Sequence, residues 1–175
     1  ATCWRNITRH CYIDVLRRYI SQYKDNLDWP ILTERIDDSF LIDNFLAYPW
    51  DLEVLSEDVN RKESVIEQLI LQQKDTEEDW NWEELGNRLS QSFVLSHLDL
   101  VKINLASYTK DNEDVQKAIL ANSDKRWDWY KIENEFNLQF IYDHIDTLGA
   151  HFGFTHLFDR IFTDSEWSQK FASNI

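Results

Sequence analysis

The sequence predicts an all-α protein: an irregular solenoid of about six short helix pairs behind an N-terminal amphipathic helix. Three observations carry that prediction. The 175 residues include only 3 Gly and 2 Pro, too few for the tight turns that sandwiches and barrels need. Apolar residues make up 43% of the chain, a globular composition. A short apolar pattern also recurs along the chain at solenoid-like intervals.

Residues 1–25 form the first predicted element, one basic amphipathic helix. Trp4, Ile7, Cys11, Val15, Arg18 and Ile20 give an approximate helical stripe, widened by Ile13, Leu16 and Tyr19. This helix is expected to cap the array or to link it to another domain. The absence of methionine from the sequence is expected of a processed N-terminus or of a segment of a longer, multidomain protein.

Residues 26–175 form the predicted repeat array. Asp28-Trp29-Pro30-Ile31-Leu32-Thr33 resembles Asp51-Leu52-Glu53-Val54-Leu55-Ser56, Asn81-Trp82-Glu83-Glu84-Leu85-Gly86 and Asp128-Trp129-Tyr130-Lys131-Ile132-Glu133. Weaker copies begin at Ile103 and Phe154. A second pattern, two apolar residues with another apolar pair one turn on, follows 11 to 13 residues after each anchor. Phe40-Leu41, Val65-Ile66, Phe93-Val94, Val115, Phe140-Ile141 and Trp167 start these second patterns. Each unit therefore reads as a short helix, a turn and a second helix. Helices this short cannot bury an apolar face alone, and stacking supplies the missing cover.

Local chemistry supports the boundaries. Pro30 suits a first helical turn, and Ser39, Ser64, Ser92 and Asp114 stand where N-caps are expected. Lys74 to Asp79 and Lys110 to Asp114 read as polar connectors. Trp29, Trp50, Trp82 and Trp129, with Phe40, Phe93 and Phe140, are the expected repeat core. Trp80 and Trp127 precede their anchors by two residues, about 200° away if both positions are helical. They read either as N-terminal staples or as surface contacts, and on the second reading they are the candidate partner-binding residues.

The doublets Trp80-Asn81-Trp82 and Trp127-Asp128-Trp129, with Tyr48-Pro49-Trp50-Asp51-Leu52-Glu53-Val54-Leu55-Ser56, carry a resemblance. The pattern is similar to the Trp-Asp-Trp-x-x-Leu-Ser helical repeats of large bacterial and giant-virus proteins, over roughly residues 27–160. The resemblance implies an α-helical array without catalytic residues. It also implies a place in an accessory or sensor segment of a multidomain bacterial or viral protein, including candidate defence systems.

Charge and composition bound the function. The net charge is −14, but residues 1–26 carry +3, leaving −17 for the remainder. Such an acidic body disfavours direct nucleic-acid binding and favours a protein partner with a basic patch, or an effector domain in the same chain. Cys3 and Cys11 are too far apart on one helix for a disulfide and read as thiols of a cytoplasmic protein. No apolar run reaches the roughly 18–20 residues of a membrane span.

Catalytic and cofactor chemistry finds no support. His97 and His144 fall in equivalent slots of different units, and His151 and His156 are five apart, so neither pair suits a metal. The Arg5-x4-His10 spacing occurs in some helical ribonucleases but lies ahead of the expected core. Runs such as Asp37-Asp38 read as solvated turns. The sequence thus predicts a non-catalytic interaction or sensor module with no cofactor and no metal. The alternative is an acidic decoy that mimics DNA and occupies a nucleic-acid-binding protein.

Overall fold

A computed structural model describes residues 2–73 and 80–173, and the chain divides into two compact units, Ala1–Phe93 and Val94–Ile175. All regular structure among the described residues is helical. The expected connector at 74–79 lies outside them.

The first unit starts with α1 (Thr2–His10) and α2 (Ile13–Tyr23). The single N-terminal helix of the sequence reading is therefore two. Trp4-Arg5-Asn6-Ile7-Thr8 has the anchor spacing of the later units, and the first helix stops before the turn at Cys11-Tyr12. Next come α3 (Trp29–Arg35) with α4 (Asp38–Asp43), and α5 (Leu52–Glu57) with α6 (Glu63–Gln72). A fourth pair is α7 (Trp82–Leu85) with α8 (Gln91–Ser96), the latter running across the division.

In the second unit a single 3-10 turn, Leu105–Ser107, precedes α9 (Glu113–Ala121). Then follow α10 (Trp129–Glu135) with α11 (Leu138–Asp143) and the short α12 (Ile145–Leu148). Last come α13 (Thr155–Thr163) and α14 (Ser165–Ala172).

The helices are short, at most 11 residues, below the length at which an isolated helix persists in water. Their ends are accordingly well capped. Asp28, Asp37, Asp51, Asn81, Asn112 and Asp128 each accept the N–H three residues on. Each such cap stabilises a helix by about 1 kcal/mol. The caps fall two residues ahead of three of the four expected positions: Asp37, Ser90 and Asn112 serve in place of Ser39, Ser92 and Asp114. At the fourth, Lys62 precedes α6 without a side-chain cap, and Ser64 is helical. The apolar pair that marks each second helix thus begins at its third position, not its first.

The same shift of two residues applies to one anchor. The unit expected at Ile103 starts at Leu105, with Asn104 accepting the N–H of Ala106 at 2.9 Å. In that frame the residue three after each of the six anchors from Trp29 onward is buried: Leu32, Leu55, Leu85, Tyr108, Ile132 and Leu157. Complete burial of an aliphatic side chain contributes about 1.5–3 kcal/mol, so these rows dominate the packing of the short helices.

Candidate interaction surface and the helix-pair junctions

The polar interior of the molecule is organised around one recurring arrangement. Four residues after an anchor stands a buried acceptor: Thr8, Thr33, Ser56, Thr109 and Glu133. Each accepts a backbone N–H from the residue ahead of the next anchor. Asp28 donates to Thr8 at 3.1 Å, Asp51 to Thr33 at 3.1 Å, Asn81 to Ser56 at 3.1 Å, and Asp128 to Thr109 at 3.4 Å. Glu133 takes two donors, Gly153 N–H at 3.2 Å and Leu157 N–H at 3.1 Å. The hydroxyls of Thr8, Ser56 and Thr109 also donate to the carbonyl four residues back. A small hydroxyl suits the slot because it is both donor and acceptor in a space the size of a methyl group.

Arginines complete the arrangement. The last carbonyls of a helix lack intrahelical partners, and a cation there also opposes the helix dipole. Arg35 donates to Thr8 O and to Cys11 O, the latter at 2.7 Å. Arg61 donates to Thr33 O at 3.1 Å and Ile36 O at 3.3 Å. Arg88 reaches Ser56 O, Asp58 O and Arg61 O. Arg160 donates to Glu133 O at 2.5 Å and Phe136 O at 2.6 Å. Arg61 is the most enclosed, its side chain 4% exposed between Asp38 at 2.5 Å and Asp58 at 3.3 Å. Burial pushes the Arg160 guanidinium below its ordinary value, and Asp111 opposes that shift.

The tryptophans are placed differently from expectation. Trp80 and Trp127, the expected surface contacts, are buried at 5% and 4% exposure. Their positions are not helical: backbone Trp127 N–H bonds to Lys125 O and Trp129 N–H to Trp127 O, the three-residue spacing of γ-turns ahead of the helix. The helical angle that set these residues outside therefore does not apply. Trp50 holds the same slot and is also buried, as are Phe93 and Phe140. The anchors Trp29, Trp82 and Trp129, expected as core, are only half-buried, as is Phe40. The three tryptophans start their helices, and Trp29 and Trp129 lie against neighbouring rings. Trp29 meets Trp50 at 5.2 Å and Tyr48 at 5.9 Å, and Trp129 stacks on His151 at 4.2 Å.

What reaches the surface is a different set. On α1 and α2, Ile7, Val15, Tyr19 and Tyr23 are exposed around an apolar depression of about 220 Å³, and Tyr12 between the two helices is exposed as well. On α13, Phe158 and Phe162 are exposed one turn apart. In the first unit a depression of about 400 Å³ is walled by Glu34, Glu57 and Asp58, and Val59 beside it is 80% exposed. In the second unit a cleft of about 640 Å³ brings Lys102, Lys125 and Arg126 near Asp99. Lys125 is bonded to Asp99, which raises its ammonium above the ordinary lysine value.

No cluster of three or more metal-ligating side chains occurs among the described residues. No helix among them is long and apolar enough to cross a membrane. The buried acceptors were faintly visible in the sequence as a small or polar residue closing the first pattern. The arginines carry no such repeated signal, since Arg35, Arg88 and Arg160 stand six residues after an anchor and Arg61 nine. Comparison with protein-family models, curated proteins and solved structures returns no match.

Proposed function

We propose that the chain is a non-catalytic helical-repeat module that binds a protein partner through its acidic exterior. The observation that carries this reading is the recurring junction. Thr8, Thr33, Ser56, Arg61, Thr109 and Glu133, buried polar residues that could otherwise do chemistry, are engaged in joining one helix pair to the next. Such nearest-neighbour joining is the construction of a solenoid, and solenoids present extended surfaces to partners. A role within a larger bacterial or viral protein, and in defence or sensing, follows only from the repeat resemblance.

The partner is a protein with a basic patch. Glu34 and Glu57 line this depression together with the half-buried Val54, a combination suited to a Lys or Arg side chain and its aliphatic stem. Many aspartates are turned to helix N-termini, including Asp28, Asp37, Asp51, Asp128 and Asp164. Carboxylates held in that way are not arranged as phosphate mimics, which favours a protein partner over the DNA-decoy reading.

A lysine-rich amphipathic helical peptide tests the assignment by calorimetric titration. Binding is expected at low salt and should weaken several-fold between about 50 and 200 mM NaCl, as screening shortens the reach of surface charge. The double substitution Glu34→Gln, Glu57→Gln should weaken it about tenfold. Equal binding by parent and variant removes the acidic depression as the docking point.

A further inference from the structure

We propose that the cleft of about 640 Å³ in the second unit binds a phosphomonoester, carried by a free small molecule or by a phosphorylated side chain. The acidic depression assigned to the protein partner lies in the other unit and shares no residue with this cleft.

Two stretches of chain wall the cleft. One runs from Leu98 to Leu105, between α8 and the 3-10 turn, and the other is Lys125-Arg126, ahead of α10. Burial fixes each of them. Leu98, Val101 and Leu105 are turned inward at 9%, 8% and 5% exposure. Trp127 is buried too, and its indole N–H donates to Asn122 O at 2.8 Å. That bond closes the short loop that carries Lys125 and Arg126. Cations are therefore presented from both walls, Lys102 from the first and Lys125 with Arg126 from the second.

The chain as a whole carries −14, yet the residues lining this cleft carry three cations against one carboxylate, Asp99. Asp124 adjoins Lys125 in the chain but does not line the cleft. The junction arginines are engaged with backbone carbonyls. Arg126 is exposed instead, and among the described residues it makes no hydrogen bond, ion pair or ring contact. Its planar fork matches two oxygens of a phosphate.

Lys125 shows where the anion sits, because it already holds one anionic oxygen, that of Asp99. The lysine side chain is 27% exposed and the aspartate 89%. The ammonium is thus set into the wall, and the carboxylate reaches it from solvent. An ammonium has three donors, so Asp99 leaves two for a ligand or gives way to it. The lining net charge of +2 matches the roughly two negative charges of a phosphomonoester at neutral pH. A nucleic acid would run its further phosphates onto an acidic body, against repulsion. The volume is that of a small-ligand cleft, and Leu98, Val101 and Ile103 offer the ester's carbon body an apolar wall.

Titration of the isotope-labelled full chain with phenyl phosphate, followed by NMR, tests the assignment. The amide signals of Lys102, Lys125 and Arg126 should shift and saturate, while those of Glu34 and Glu57 stay in place. Phenyl sulfate has the same shape and one charge, and should bind about tenfold more weakly. Arg126→Gln should weaken phenyl phosphate about tenfold, as a charge-assisted pair is lost. Asp99→Asn should tighten it several-fold, because the competing carboxylate is gone. Both substitutions replace exposed side chains, and circular dichroism should show both variants folded. A serine-phosphorylated peptide separates the two sources: tighter binding than phenyl phosphate assigns a phosphorylated side chain, and weaker binding a free ester. The proposal is overturned if neither ligand gives saturable shifts at these residues, or if phenyl sulfate binds as well as the phosphate. It is equally overturned if Arg126→Gln binds like the parent or Asp99→Asn binds no better. None of these outcomes bears on the lysine-rich peptide, so this site and the proposed function fail separately.

Discussion

The two units of the chain solve the same structural problem with different completeness. In the first, the Thr8, Thr33 and Ser56 acceptors are each matched by an arginine, Arg35, Arg61 and Arg88, on the carbonyls of the same helix end. In the second, Thr109 accepts Asp128 N–H, but the slot six residues after the next anchor holds Glu135, which is exposed. Only the last junction there has both parts, with Glu133 replacing the hydroxyl and Arg160 the cation. The difference shows that the hydrogen-bond acceptor and the arginine are separate devices. The acceptor satisfies one N–H ahead of a helix. The arginine satisfies two carbonyls behind another and carries a charge inside.

The largest test of that separation is Arg61→Met. The aliphatic replacement fills the space but strands Thr33 O, Ile36 O and the Asp58 carboxylate around a buried site. Removing one partner of a buried ion pair costs about 3–5 kcal/mol. Urea unfolding should report a loss of that order. Glu135→Ala, at the arginine slot of the second unit, should change stability by less than about 0.5 kcal/mol, as other exposed substitutions do. If the two variants cost the same, the arginine is not a joining device.

A smaller effect is expected from the hydroxyls. Thr33→Val keeps the shape and leaves Asp51 N–H without its acceptor, a cost of about 1–3 kcal/mol. Thr109→Val should fall at the lower end of that range, because its bond from Asp128 is 3.4 Å against 3.1 Å for Thr33. Hydrogen exchange gives an independent reading. The amides of Asp51 and Asp128 should lose protection in the respective variants while Leu32 and Ile132, deep in their helices, keep theirs.

The helical class was legible because it depends on local features: scarce Gly and Pro, 3.6-residue periodicity and a recurring anchor. The phase was less legible. Apolar pairs such as Phe40-Leu41 mark a second helix, but the chain enters each helix three residues before them, at Asp37, Lys62, Ser90 or Asn112. The burial of Trp80 and Trp127 was hidden for the same reason. A helical wheel assigns directions only to helical residues, and both precede their helix. The arginines were hidden because their spacing is irregular: six residues after the anchor for Arg35, Arg88 and Arg160, but nine for Arg61. Their partners are also 24 to 33 residues away in sequence, beyond the reach of any local pattern.

An exposed ion pair supplies the control that sharpens the comparison. On α9, Lys117 is hydrogen-bonded to Glu113 at 2.7 Å, and that bond holds the Glu113 carboxyl below its ordinary value and Lys117 above its own. The sign of the linkage is fixed. The Glu113 contribution is present above the ordinary carboxylate range and fades as pH falls through the depressed value. The Lys117 contribution is present below the ordinary lysine value and fades as pH rises through the raised one. Both side chains are open to water, so solvent screens the pair and the net stabilisation is small. Lys117→Gln should therefore return the Glu113 titration, followed by NMR, toward the ordinary glutamate value while leaving the urea midpoint where it was. A destabilisation as large as that of Thr33→Val would mean that polar contacts stabilise this chain wherever they occur. It would remove the reason for treating the buried junctions as the elements that hold its helix pairs together.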